Sequence, residues 1–221
     1  MKAIILAAGR GERMRPLTDA RPKPLLEVRG KALIVWLIEA LARAGIRDIV
    51  INHAHLGQMI EAALGDGRRF GVRVDYSAEP QALETAGGIA KALPLLGPGP
   101  FLAVNSDVFC DFDFVALANR ALGSDLAHLV LVPNPPHHLQ GDFSLDRGRA
   151  GAHGEPRWTF SGIGLYRAEL FESVRPGSRA QLVTLLRAAM ARGQVGAEVH
   201  AGAWHDIGTP ERLAELNAPL A

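Results

Sequence analysis

KAIILAAGRGERMRPLT, residues 2–18, is the stretch on which the fold turns. Lys2–Ala8 is an almost unbroken apolar run that ends in glycine, as expected of a strand buried on both faces of a parallel sheet. In such folds ligands sit beyond the carboxyl edge of the strands, and the chain leaves this edge through Gly9 and Gly11. Glycines let consecutive backbone N–H groups approach and point at a phosphate. A Walker A loop is excluded, because neither glycine leads into Gly-Lys-Ser/Thr, and Met14 stands where a dinucleotide fingerprint would need its third glycine. Positive charge follows at once: Arg13, Arg15, and then RPKP at 21–24. Pro22 and Pro24 restrict the backbone on both sides of Lys23, which lowers the cost of holding one ammonium in place. Arginine forks and a lysine point charge beside an amide cradle suit a polyphosphate. Arg15 either joins them or braces the loop.

Outward from this loop, strand-like and helical segments alternate. Helical spacing covers Ala32–Ala44, with Gly45 as its stop, and DIVIN at 48–52 is a strand. Leu56–Leu64 is predicted helical, Val72–Ser77 a strand, Gly88–Leu96 a helix, FLAVN at 101–105 a buried strand, Phe112–Leu122 a helix and His128–Val132 a strand. The second half is less regular. Pro133–His138 and Asp146–Glu155 read as loops, and WTFSGIGLY at 158–166 as a strand interrupted by glycine. Gln181–Arg192 is a predicted helix, Glu198–Gly202 a short strand, and Pro210–Asn217 a closing helix with Thr209 as its N-cap. This order predicts an α/β protein: a three-layer, Rossmann-like sandwich around a mixed, mostly parallel sheet, with residues 1–221 as a single domain and no C-terminal β-helix.

Composition removes several classes of function. With 48% hydrophobic and 21% charged residues the 221-residue chain can bury an ordinary core. Its formal net charge of +1 offers no global field for nucleic acid or an anionic membrane, so anion binding must be local. Cys110 is the only cysteine, which rules out an internal disulfide and a thiolate zinc cluster. No leader is visible and no apolar run approaches about 18 residues, so the expected location is the cytoplasm, as a monomer or homodimer. The histidines His137, His138 and His205 lack a metal-ligand spacing, Ser106 has no nucleophile-elbow setting, and Cys110 has no His–acid pattern.

Two aspartates stand out by position. Asp107 follows the buried strand in LAVNSDVF, and Asp206 lies in WHDIGT. Carboxylates from distant segments can share one Mg²⁺ that keeps waters and phosphate oxygens in its shell; a strand-end aspartate can equally cap a turn. Glu79 and the run Leu83–Gly88 (LETAGG) form a third candidate region, where small residues let a flat base lie against the main chain.

LAAGRGERMRPLT followed by RPKP resembles the opening of the sugar-1-phosphate nucleotidylyltransferases, and the likeness runs over essentially the whole chain. VINHAHLGQ at 50–58, LET-x-GGI at 83–89, the NPPHH and GDF region at 134–143, FSGI at 160–163 and W-x-D-I-G-T at 204–209 are similar to the branch acting on N-acetylmuramic acid 1-phosphate. The resemblance implies the nucleotide-diphospho-sugar transferase type of fold and Mg²⁺-dependent transfer of UMP from UTP to that sugar 1-phosphate. It implies a nucleotide site made of Leu6, Ala7, Ala8, Gly9, Gly11, Glu12, Arg13, Lys23, Glu79, Thr85, Gly87 and Gly88, with Arg13 and Lys23 catalytic. Asn105, Asp142, Glu155 and Gly162, together with His53, are implied for the sugar phosphate, and Asp107 and Asp206 for the metal. Ala86 departs from the family's third glycine, and Gln181 from a lysine ahead of the Leu-x-x-Leu-Leu-Arg helix, with Arg179 two residues earlier. Another sugar 1-phosphate with UTP, GTP or CTP, and a catalytically silent sugar-nucleotide sensor, remain the alternative expectations.

Overall fold

A computed structural model describes residues 1–218. In chain order it contains β1 (Lys2–Ala7), α1 (Leu17–Ala20), β2 (Glu27–Val28), β3 (Lys31–Ala32), α2 (Leu33–Arg43), β4 (Asp48–His53), α3 (Gly57–Leu64), β5 (Arg73–Ala78), α4 (Glu84–Leu96) and β6 (Phe101–Asn105). The chain continues with β7 (Val108–Cys110), α5 (Phe114–Ala118), β8 (Ala127–Val132), β9 (Phe143–Asp146), β10 (Arg149–Gly151), β11 (Arg157–Tyr166), α6 (Leu182–Met190), β12 (Val195–Val199), β13 (Trp204–Asp206) and α7 (Pro210–Asn217).

Nine strands form one sheet in the order β5-β4-β1-β6-β11-β8-β12-β10-β9. The β5-β4-β1-β6 half is parallel throughout, β11 runs against both β6 and β8, and β12 returns parallel to β8. The expected mixed, mostly parallel sheet is therefore present. β1 lies between β4 and β6, so its side chains alternate between two apolar layers. Ala3, Ile5 and Ala7 join α2 and α3 in one core; Ile4 faces α4 and α6 in the other. Both faces are covered, which explains the nearly continuous apolar run of residues 3–8. No described helix is long and apolar enough to cross a membrane.

Several expected boundaries shift. Residues 146–155 are not a plain loop, because β9 and β10 form an antiparallel hairpin there. The helix expected over 112–122 shortens to α5, whose first turn is capped by the Asp113 carboxylate accepting from Val115 N at 2.9 Å. α4 begins four residues earlier than expected and takes Gly87 and Gly88 into its interior. There they allow close packing: a Cβ on Gly87 would lie 2.3 Å from Ser178 O, and one on Gly88 2.7 Å from Glu79 Oε1. Thr209 caps α7 as expected, its hydroxyl accepting from Arg212 N at 3.4 Å.

A third, small core of Met14, Leu26, Val28, Leu33 and Ile207 lies outside the two main layers. It ties the opening loop to the β2–β3 ribbon and to the end of β13. Pieces separated by almost two hundred residues are thereby held in one place.

Candidate active site

The register of the central strands begins the site. Leu6 is paired with Asn52 on β4 and with Asn105 on β6, so two amide side chains flank the last turn of apolar sequence at the carboxyl edge. Beyond that edge lies a cavity of about 360 Å³. Among the residues expected for the nucleotide, Leu6, Ala8, Gly9, Gly11, Glu12, Arg13, Lys23 and Thr85 line it, as do Asn105 and Asp107. Ala7 turns into the core behind, and Glu79, Gly87 and Gly88 stand behind the wall. The methyl of Ala86 likewise points into the α4–α6 core, away from the cavity.

Glu79 is buried and works through others. Its Oε1 accepts from Asn52 Nδ2 at 2.7 Å and its Oε2 from Leu83 N at 2.9 Å, while Asn52 Oδ1 accepts from Ala7 N at 2.9 Å. This chain couples the end of β1 to the start of α4. Asn52 and Ser106, both lining the cavity, are candidate site residues that the sequence reading passed over. Asn52 carried a signal, a polar side chain at the end of an apolar strand (DIVIN) beside the key loop.

The opening loop is held by its own polar groups. Gly11 has φ +69°, and a Cβ there would meet Thr18 Cγ2 at 3.0 Å and Lys23 Cβ at 3.4 Å. The Thr18 hydroxyl donates to Gly11 O at 2.8 Å. Arg10 and Arg15 both reach Asp19, at 2.8 and 2.9 Å. The Arg10 hydrogen bond in particular holds the Asp19 carboxyl below its ordinary range. Among the described residues Arg13 is the one arginine of this loop without a carboxylate or carbonyl partner, and it lines the cavity. Arg15 is thus a brace in this structure, while Arg13 is an available cation.

Asp107 receives Lys23 Nζ at 2.5 Å on Oδ2. Asp206 is brought alongside by the antiparallel β7–β13 ribbon, anchored where Ile207 N donates to Asp107 O at 2.9 Å. Its Oδ2 accepts from Arg212 Nη1 at 2.6 Å, and its Oδ1 lies 3.0 Å from His137 Nε2. Asp107 stands in the turn ahead of β7 and lines the main cavity, Asp206 ends β13 and lines the neighbouring one, and hard oxygen donors of this kind suit a divalent cation that takes few protein ligands. Among the described residues no group of three or more His, Cys, Asp or Glu forms a metal cluster, which leaves the rest of such a shell to phosphate and water. Nearby Cys110 is pushed up to about 11 by burial, so at neutral pH it is a thiol and not a nucleophile.

The residues expected for a sugar phosphate are divided. Gly162, at φ +79° in the β11 bulge, lies against Asn105: a Cβ there would sit 2.6 Å from Asn105 Nδ2. Asp142 braces its surroundings, accepting from Phe160 N at 2.8 Å with its other oxygen 3.1 Å from His138 Nε2. Glu155 is exposed and lines a separate cavity with Gln140, Gly141 and Arg157. His53 is buried beside α3, 2.8 Å from Glu61 Oε1. Arg179 reaches the rim of the main cavity by pairing with Glu84 at 3.1 Å.

Residues 2–143 match the Nucleotidyl transferase family. The chain is 55% identical over 227 residues to the N-acetylmuramate alpha-1-phosphate uridylyltransferase of Neisseria meningitidis serogroup B, covering 99% of this chain and 97% of that one. It is 30% identical to the mannose-1-phosphate guanylyltransferase catalytic subunit beta of Dictyostelium discoideum, covering 96% of this chain and 62% of that longer protein. Among solved structures, a candidate glucose-1-phosphate thymidylyltransferase from Bacillus anthracis, in complex with a sucrose, superposes with a TM-score of 0.86. That pair is 24% identical, and the match covers 98% of this chain and 94% of the other, a likeness of fold.

Proposed function

The chain belongs to the nucleotidyl transferase family, and on that premise we propose that it transfers UMP from UTP to N-acetylmuramic acid α-1-phosphate, releasing pyrophosphate. The observation that carries this reading is the 55% identity, end to end, with the Neisseria uridylyltransferase. A phosphate oxygen of the sugar substrate attacks the α-phosphorus of UTP in line, and the bond from that phosphorus to the β-phosphate oxygen breaks. The attacking oxygen is already ionised at neutral pH, so no protein base is needed. Catalysis then rests on positioning and on neutralising charge.

The residues divide that work. Backbone N–H groups of the Gly9–Gly11 turn hold the triphosphate, with Arg13 and Lys23 neutralising the charge that grows on the leaving pyrophosphate. Leu6, Thr85 and the start of α4 hold the base, kept in register by the Glu79–Asn52 pair behind them. Asn105, given room by Gly162, meets the sugar phosphate. Asp107 and Asp206 would hold Mg²⁺, which supplies Lewis-acid neutralisation of the phosphate oxygens when bound. The protein works in the cytoplasm on these small molecules.

A matrix of nucleoside triphosphates against sugar 1-phosphates, scored by pyrophosphate release, tests the reading. Release confined to UTP with N-acetylmuramic acid 1-phosphate is the expected result. Release with mannose 1-phosphate and GTP instead would keep the reaction class and overturn the substrate pair. Nucleotide binding without any release would make the protein a sensor.

A further inference from the structure

Asp206 is the more heavily occupied of the two carboxylates. Arg212 Nη1 reaches its Oδ2 at 2.6 Å and its backbone carbonyl at 3.0 Å, and lies 2.8 Å from His137 Nε2. The pair is mostly shielded, with side-chain exposures of 20% and 26%. A charge-assisted contact of this kind is not given up without replacement. The other end of the guanidinium faces elsewhere. A Cβ on Gly208 would lie 2.7 Å from Arg212 Nη2 and 3.2 Å from Arg13 Nη2. Gly208 belongs to the wall of the main cavity, while Arg212, Asp206 and His137 line the neighbouring one, so two guanidinium groups meet at the bare stretch of backbone between the two cavities. Adjacent like charges favour an anion beside them.

We propose that Arg212 is a positioning residue: it is the resting counter-ion of Asp206 and changes partner, from carboxylate to nucleotide phosphate, when a divalent cation takes the carboxylate. The inference rests on the reading of Asp206 as a cation ligand. Lys23 and Arg212 neutralise Asp107 and Asp206 and hold both carboxylates in place. A lone cation must therefore displace Arg212, whereas a cation arriving with a triphosphate offers the released guanidinium a new partner next to Arg13. Cation and nucleotide binding are coupled by this exchange, and the coupling is reciprocal.

Direct titration tests the proposal without turnover. Mn²⁺ binding is followed by electron paramagnetic resonance with no nucleotide present, and binding of the Mg²⁺ complex of α,β-methylene-UTP by calorimetry. Arg212→Gln is expected to tighten nucleotide-free Mn²⁺ binding about tenfold and to weaken the nucleotide analogue several-fold. A brace that merely shapes the site would weaken both. Arg212→Lys keeps the charge and loses the fork; it is expected to fall between wild type and Arg212→Gln, and it is the second variant should the glutamine form not fold. Mn²⁺ binding equal to or weaker than wild type in whichever variant folds overturns the proposal. So does an equal tightening in Arg13→Gln, which removes the same charge beside Gly208 without freeing a carboxylate. Asp206→Asn separates this inference from its premise. If that variant binds Mn²⁺ like wild type, the reading of Asp206 itself fails; if it loses Mn²⁺ while Arg212→Gln shows no tightening, only the exchange fails.

Discussion

The two sides of the cavity are built by different means. On one side, β1, β4 and β6 end together, and the loop after β1 is stiffened by hydrogen bonds among near neighbours: Thr18 to Gly11, Arg10 and Arg15 to Asp19. On the other, at Gly208, the three-residue strand β13 pairs with β7, a small apolar cluster around Ile207 secures it, and Asp206 lines the neighbouring cavity with His137 and Arg212. The loop of the first side is held by contacts local in sequence and sits on strands fixed by backbone pairing. The second is assembled from distant segments and depends on a few side chains. The first should therefore lose activity without losing its fold, and the second should lose both.

Lys23→Ala sets the largest expected effect. Its Nζ is the cation on Asp107, while its backbone sits in a proline-flanked turn that the substitution leaves intact. Turnover should fall by about 10²–10³-fold, in the range found for removing one charge-stabilising donor, with the thermal midpoint near wild type. An unchanged kcat would remove Lys23 from the reaction. Ile207→Ala probes the other side. Ile207 is fully buried, so deleting its side chain should cost about 2–5 kcal/mol of stability. Urea unfolding with a shift well below that, and with activity retained, would show that the cluster is not what holds Asp206.

Smaller effects sharpen the contrast within the loop. Arg15→Ala removes an exposed brace, and pairs of this kind contribute about 0–1 kcal/mol. Activity should change by no more than about fivefold, since 1.4 kcal/mol is tenfold; Arg13→Ala should exceed it clearly. A larger loss in Arg15→Ala would move it from brace to ligand. Least of all, His128, near the start of β8, should shape the acid limb of stability. Burial, aided by the Arg120 charge, lowers its pKa in the folded protein. As pH falls through the unfolded-chain value of about 6.5, the unfolded form takes up the proton first, and stability drops. His128→Gln should lose less stability than wild type between pH 7 and 5 in parallel urea titrations; identical slopes would exclude the effect.

The parallel half of the sheet was legible because burial on both faces leaves a plain signature. KAIILAA, DIVIN and FLAVN are apolar runs closed by polar or small residues, and each is a strand. The opening loop was legible too, since glycines and arginines at close spacing act within a few residues of one another. Legibility ended where position depends on partners. LETAGG reads as small residues ahead of a helix, open to a flat base, yet its glycines lie inside α4, where Ser178 and the Asn52–Glu79 pair press close against them. Residues 146–155 look like a loop because a hairpin at a sheet edge needs little apolar sequence to form.

By itself the amino-acid sequence determined the class of fold, the glycine- and arginine-rich loop after the first strand and the types of charged residue available, all of which follow from patterns over short distances. The tertiary structure alone decided which charges are spoken for. Arg10 and Arg15 end on Asp19, Lys23 on Asp107 and Arg212 on Asp206, while Arg13 is left facing the cavity. An ion pair forms between groups that folding brings within a few ångströms, at separations of 84 residues for Lys23 and Asp107. No spacing along the chain encodes that distance.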